Sequence, residues 1–76
     1  MKRKPLPELD LALLGWINAA GPVGITREQV IEKATRLPIG VTRDGIGKII
    51  GSLALNGFID QEADRLFVTA KGAALL

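Results

Sequence analysis

The stretch NGFIDQEADRLFVTAKG, residues 56–72, decides the fold of this chain. It opens with Asn-Gly, a pair that commonly ends a helix, and apolar residues then alternate with polar ones. A run of acidic residues interrupts the alternation, which resumes before Thr69. The pattern predicts two short strands, 58–61 and 66–68. A two-stranded hairpin is marginally stable on its own in water, so this one has to pack against helices.

Apolar residues at helical spacing predict three helices before the hairpin. The first starts at Pro7 and stops at Gly21-Pro22, the second starts after Thr26, and the third covers about residues 42–56. The PVGI segment between the first two helices is long enough only for a stub of strand or an extended link. The helices and hairpin are expected to share one core, which contains Leu13, Trp16, Val30, Ile46, Ile50, Leu53, Phe58 and Val68.

Three threonines precede helical segments and are expected as N-caps. Thr26 has Gln29 three residues later, the spacing of a capping box. Thr42 precedes the third helix, and Thr69 precedes a last short helical turn. The starts of these elements are therefore predicted from local hydrogen bonding.

The order of helix, stub, helix, helix and hairpin resembles the winged helix-turn-helix family. The resemblance spans about residues 9–72 and rests on TREQVIEKA, TRDGIGKIIGSLALNGFID and RLFVTAKG. Its most specific part is Leu53, then Gly57-Phe58-Ile59, a charged turn, Val68-Thr69 and Gly72. The resemblance implies an α+β, mainly helical fold, with the third helix in the DNA major groove and hairpin 58–68 as the wing. Residues 1–6 are expected to be a basic tail, and residues 7–76 one winged-helix domain.

The outward face of the third helix is poor in residues that read bases. At about 100° per residue, this face carries Asp44, Gly47, Lys48, Gly51, Ser52 and Leu55, without arginine, asparagine or glutamine. Gly47 and Gly51 are four residues apart, so they would allow a DNA backbone or a partner helix to approach closely. The residues predicted to contact DNA are Lys2, Arg3, Lys4, Arg36, Thr42, Arg43, Gly47, Lys48, Gly51, Ser52 and Arg65.

The net charge of +2 comes from the start of the chain. From Pro5 onward there are seven Lys and Arg against eight Asp and Glu, a net charge of −1. Attraction to phosphate would have to come from local clusters, because a broadly basic surface is missing.

The composition argues against catalysis and against metal or cofactor binding. The chain is 47% hydrophobic, with no cysteine, histidine or tyrosine. An enzyme would have to work with carboxylates, lysines, four threonines and one serine. Acidic residues near the start interrupt the only apolar run that could imitate a signal or a membrane span. We expect a soluble, cytoplasmic protein that is not an enzyme and has no membrane partner.

Leucines outside the predicted core suggest a second apolar surface. Leu11 and Leu14 are placed opposite the buried stripe of the first helix, and Leu75 and Leu76 end the chain. These four residues predict a homodimer interface.

Together these features predict a dimeric protein that binds double-stranded DNA and regulates transcription or a mobile element. The alternative is a winged-helix adaptor that binds another protein, through its third helix or its leucines, and does not bind DNA.

Overall fold

Residues 7–76 are described by the structure, a computed structural model, and they form helices packed against a small antiparallel sheet. A 3-10 turn at Gly21–Val23 follows the first helix. In chain order the elements are α1 (Glu8–Ala19), β1 (Ile25–Thr26), α2 (Arg27–Thr35), α3 (Arg43–Leu55), β2 (Ile59–Glu62), β3 (Arg65–Val68) and the short α4 (Ala70–Ala73). The predicted α+β winged-helix fold class is confirmed.

The three predicted threonine caps are present. At α2 the Thr26 hydroxyl accepts from the Gln29 backbone N–H at 3.1 Å, and the Gln29 side chain accepts from the Thr26 N–H, which completes the capping box. Thr42 accepts from the N–H of Gly45 at 3.0 Å, and Thr69 accepts from that of Gly72 at 3.1 Å. Each bond satisfies one of the backbone donors that the first turn of a helix leaves unpaired.

The sheet has three strands in the order β1-β3-β2, all antiparallel. The predicted hairpin is β2 and β3, with Ile59 opposite Val68 and Glu62 opposite Arg65. The stub predicted around residue 25 pairs with the other edge of β3, so Ile25 lies opposite Leu66. One edge of the hairpin's return strand is therefore closed by the segment that leads into α2.

The core receives side chains from every main element. α1, α2 and α3 each contribute residues that water scarcely reaches, and β2 and β3 contribute one each. The buried apolar residues are Leu13, Leu14, Ile17, Val30, Ile31, Ala34, Ile46, Ile50, Leu53, Ile59 and Leu66, with Trp16, Phe58 and Val68 packed partly buried against them.

Leu14 corrects the predicted dimer surface. It was placed on the solvent side of α1, but it is fully buried in the core. The reason is that α1 contacts β3, α2 and α3 together, so its buried surface is wider than a single stripe. Leu75 also packs against the core. Of the four residues predicted to form a dimer interface, only Leu11 and Leu76 remain outside the core. Leu11 is partly buried and Leu76 is 52% exposed.

A close contact joins the two ends of the hairpin. A Cβ at position 72 would lie 2.1 Å from the carbonyl oxygen of Phe58, so only glycine fits there. The same corner is held by Thr69, whose N–H donates to the Phe58 carbonyl at 3.0 Å. Its hydroxyl also donates to the carbonyl of Gly57 at 2.6 Å. The threonine and glycine of the resemblance thus have a structural role, fastening the wing to the end of α3.

Replacing Leu14 by alanine tests the correction to α1. We expect Leu14→Ala to lower the free energy of unfolding by about 2–5 kcal/mol, because it removes a fully buried side chain and leaves a cavity. Urea denaturation followed by circular dichroism measures the change. Leu55→Ala is the matched control, since that leucine is 88% exposed and its removal should change stability by no more than about 0.5 kcal/mol. Equal effects would contradict the placement of Leu14.

Replacing Gly72 by alanine tests the hairpin corner. The added methyl group would overlap the Phe58 carbonyl, so we expect a loss of about 1–3 kcal/mol or more. Gly15→Ala in α1 is the control, because nothing lies within 4 Å of a Cβ there. That change should raise stability by up to about 1 kcal/mol through helix propensity. A Gly72→Ala protein as stable as the wild type in thermal unfolding would show that the corner is looser than described.

Candidate nucleic-acid interface

A cleft of about 450 Å³ lies between the first two turns of α2 and the first two turns of α3. We call it the α2/α3 cleft. Three cationic side chains, two acidic side chains, one apolar side chain and one glycine line it. Its lining residues are Arg27, Glu28, Ile31, Arg43, Asp44, Gly47 and Lys48.

Arg43, one of the predicted DNA contacts, is already paired. Its Nη2 forms an ion pair with the Oε2 of Glu28 across the cleft. Both side chains are more than half exposed, so the pair contributes only about 0–1 kcal/mol to stability. Its main effect is electrostatic, because Glu28 offsets the charge that Arg43 would offer to a phosphate.

Lys48 differs from Arg43 in the surroundings of its charged group. It lies on the exposed side of α3 at the edge of the cleft. Within residues 7–76, no hydrogen bond or ion pair engages its ammonium group. It is therefore the cation on α3 that can meet an incoming anion without first leaving a partner.

The two glycines of the outward face differ in their surroundings. Gly51 is exposed, and nothing lies within 4 Å of a Cβ built there, so the backbone is open to close approach as predicted. At Gly47 a Cβ would lie 2.8 Å from Nη2 of Arg27. The space beside Gly47 is therefore occupied by an arginine of this same chain, which reaches over from α2.

Arg27 is not among the residues that the sequence predicts to contact DNA. The periodicity of α3 gives no sign of it, because the side chain belongs to the preceding helix. The sequence does hold a signal, which is a glycine in α3, Gly47, and a long cationic side chain at the start of α2, Arg27. The two can be matched only once the packing of α2 against α3 is known.

The remaining predicted contacts are spread more widely. Thr42 uses its hydroxyl as the α3 cap, and Ser52 accepts the side-chain N–H of Asn56 through its backbone carbonyl at 2.9 Å. Arg36 is exposed at the end of α2 but does not line the cleft. The predictions for Lys2, Arg3 and Lys4 lie outside the described residues.

The wing is acidic and has little to offer phosphate. Asp60, Glu62 and Asp64 are exposed along it. Arg65, the cation predicted to contact DNA from the wing, has its Nη1 3.4 Å from the carbonyl oxygens of both Val23 and Gly24. Its guanidinium is therefore directed toward the segment that precedes β1.

Two further lysines lie over aromatic rings. The Nζ of Lys33 is 5.1 Å from the centre of the Trp16 ring, and that of Lys71 is 5.4 Å from the centre of the Phe58 ring. Neither lysine lines the α2/α3 cleft. Exposed cation–π contacts of this kind are worth about 0.5–1 kcal/mol.

Metal-binding clusters and membrane-spanning helices are both absent from the described residues. Residues 7–76 contain no cluster of three or more acidic, histidine or cysteine side chains placed to hold a metal ion. None of the described helices has both the length and the apolar character needed to cross a bilayer.

Comparison with known proteins agrees with the fold. No protein-family model matches the sequence, and no curated protein matches it. Among solved structures, the chain is similar to the activation domain of the phage T4 transcription factor MotA, with a TM-score of 0.78 and 22% sequence identity. The match covers 93% of this chain and 68% of that one. Two chains this different in sequence thus share one small α+β architecture.

Proposed function

We propose that this protein regulates transcription by binding double-stranded DNA with the outward face of α3. The observation that carries the proposal is the exposed Lys48 beside the open backbone at Gly51. A helix face with a small residue next to a free cation suits close contact with a phosphate backbone. The similarity in fold to a domain of a phage transcription factor supports the transcriptional role.

The electrostatics set the expected strength of binding. The α2/α3 cleft has a net charge of +1, from three cations and two acids, and the wing is acidic. Binding should therefore depend on a few phosphate contacts around α3, each of which adds about one unit to the slope of log affinity against log salt. The wing contributes less than α3, because its acids repel phosphate and Arg65 is engaged with backbone carbonyls.

Lys48→Ala tests the proposed phosphate contact. We expect it to weaken binding to all duplexes about equally, and to reduce the slope of log affinity against log salt by about one unit. Electrophoretic shifts with random duplex DNA over a salt series measure both effects. Lys33→Ala is the matched control, because it removes the same charge from a side chain that lies over Trp16 and away from the cleft.

Gly51→Glu should abolish the shift while circular dichroism remains that of the wild type. Position 51 is exposed and open, so the fold accepts the larger side chain, but its bulk and charge would meet the DNA backbone. If Lys48→Ala and Lys33→Ala behave alike and Gly51→Glu still binds, α3 is not the DNA-binding face.

Glu28→Gln tests the role of the ion pair across the cleft. Neutralising Glu28 releases Arg43 to contact phosphate, so we expect tighter binding and a salt slope steeper by about one unit. Stability should fall by no more than about 1 kcal/mol, because the pair is exposed. Glu32→Gln on the same helix is the control, since Glu32 does not line the cleft. An equal gain from both variants would mean that overall charge, and not the release of Arg43, is responsible.

The second candidate function is that of an adaptor that binds another protein. Leu55, near the end of α3, is 88% exposed, and an apolar side chain there suits a protein partner better than DNA. The neighbour in the structural comparison is an activation domain, which is consistent with this candidate. If the wild-type protein shifts no duplex even at low salt, the DNA proposal is wrong and the adaptor function replaces it.

A further inference from the structure

The outward face of α3 lacks arginine, asparagine and glutamine, the side chains that read a base pair through two hydrogen bonds with fixed geometry. Arginine, with its forked donors, makes the commonest specific contact to DNA, a bidentate pair with the O6 and N7 atoms of guanine. In the structure Gly47 lines the α2/α3 cleft and has no side chain to offer, and Arg43 of α3 is paired with Glu28. A DNA-binding face of this composition can obtain a free forked donor only from another element.

Arg27 is placed to supply it. Its guanidinium lies beside Gly47 of α3, in the space that a side chain there would fill, with Nη2 at 2.8 Å and Cζ at 3.9 Å from the position of a Cβ. Arg27 is exposed and lines the α2/α3 cleft. Across the described part of the chain, no acidic side chain pairs with it.

The backbone of Arg27 is fixed on two sides. It is the first residue of α2, directly after the capping box of Thr26. Its N–H donates to the carbonyl of Asp64 at the turn of the wing, at 3.2 Å. A side chain that starts from such an anchored position loses less conformational freedom on binding than one from a loop.

We propose that Arg27 is the base-reading residue of this protein. Its guanidinium, held beside Gly47, contacts the O6 and N7 atoms of a guanine in the major groove. The inference rests on the proposed DNA binding of α3 and adds the residue that gives it sequence preference. In this arrangement Gly47 is a positioning residue, because its missing side chain makes room for the guanidinium. Lys48 provides affinity through phosphate, since an ammonium group is a point charge without a fork.

The test begins with the full-length chain and a library of random duplexes, from which the preferred site is selected. Each guanine of that site is then replaced in turn, and the loss of affinity is measured for the wild type and for Arg27→Ala, Arg27→Lys and Gly47→Ala. For the wild type, we expect replacement of one guanine to weaken binding by about 5- to 150-fold, the range for a good bidentate contact.

Both Arg27 variants should lose discrimination at that guanine. Arg27→Lys keeps the charge, so it should retain much of the affinity for random DNA while it no longer distinguishes the base. Gly47→Ala should lose discrimination as well, because the methyl group displaces the guanidinium. Its thermal stability should not fall, since the atoms displaced are the end of a flexible side chain. Gly15→Ala, which adds the same methyl group to α1, should keep the wild-type preference.

The outcomes separate this inference from the proposed function. If Arg27→Ala and Gly47→Ala keep the wild-type base preference while Lys48→Ala still weakens binding, Arg27 does not read DNA but α3 does bind it. If Arg27→Lys keeps full discrimination, or if the wild type prefers no sequence, Arg27 acts only as a charge and the inference is wrong. If no duplex binds to the wild type at all, the proposed function itself fails.

Discussion

The approach of Gly72 to the carbonyl of Phe58 is the contact on which the rest of this small structure depends. It brings Phe58, which directly precedes β2, close to the first turn of α4, and so closes the hairpin at its open end. The closed hairpin holds β3 in place, and β3 pairs with β1 on its other edge. At the turn of the hairpin, the Asp64 carbonyl accepts the N–H of Arg27, so the same contact helps to position the α2/α3 cleft. One glycine thus links the end of the domain to the proposed interface.

Features set by near neighbours in the chain could be predicted from the sequence. Thr26, Thr42 and Thr69 cap the helices that follow them, because each hydrogen bond spans only three residues. Asn56 and Gly57 end α3, where the positive φ of Gly57, 80°, is a conformation that glycine adopts readily. The fold class followed from the order of these elements and the resemblance of their motifs.

Features that depend on packing between distant segments could not be predicted. Leu14 is buried because α1 meets three other elements, whereas helical spacing alone suggested a narrower stripe. The pairing of Arg43 with Glu28 joins residues on two helices, and it weakens a contact that looked available from charge alone. The placement of Arg27 over Gly47 likewise arises only when α2 and α3 are packed together. The contacts made by the side chains of the candidate site therefore could not be predicted from the sequence.

The pairing of β1 with β3 also has a consequence during synthesis on the ribosome. Ile25 is made early, but its partner Leu66 emerges only after α2, α3 and β2 have been translated. Until then, the core-facing sides of α1 and α2, including Leu13, Leu14 and Val30, lack part of the surface that covers them. A nascent chain in that state exposes apolar helix faces of the kind that molecular chaperones bind. Once β3 is made, it packs against α1 and covers part of these faces.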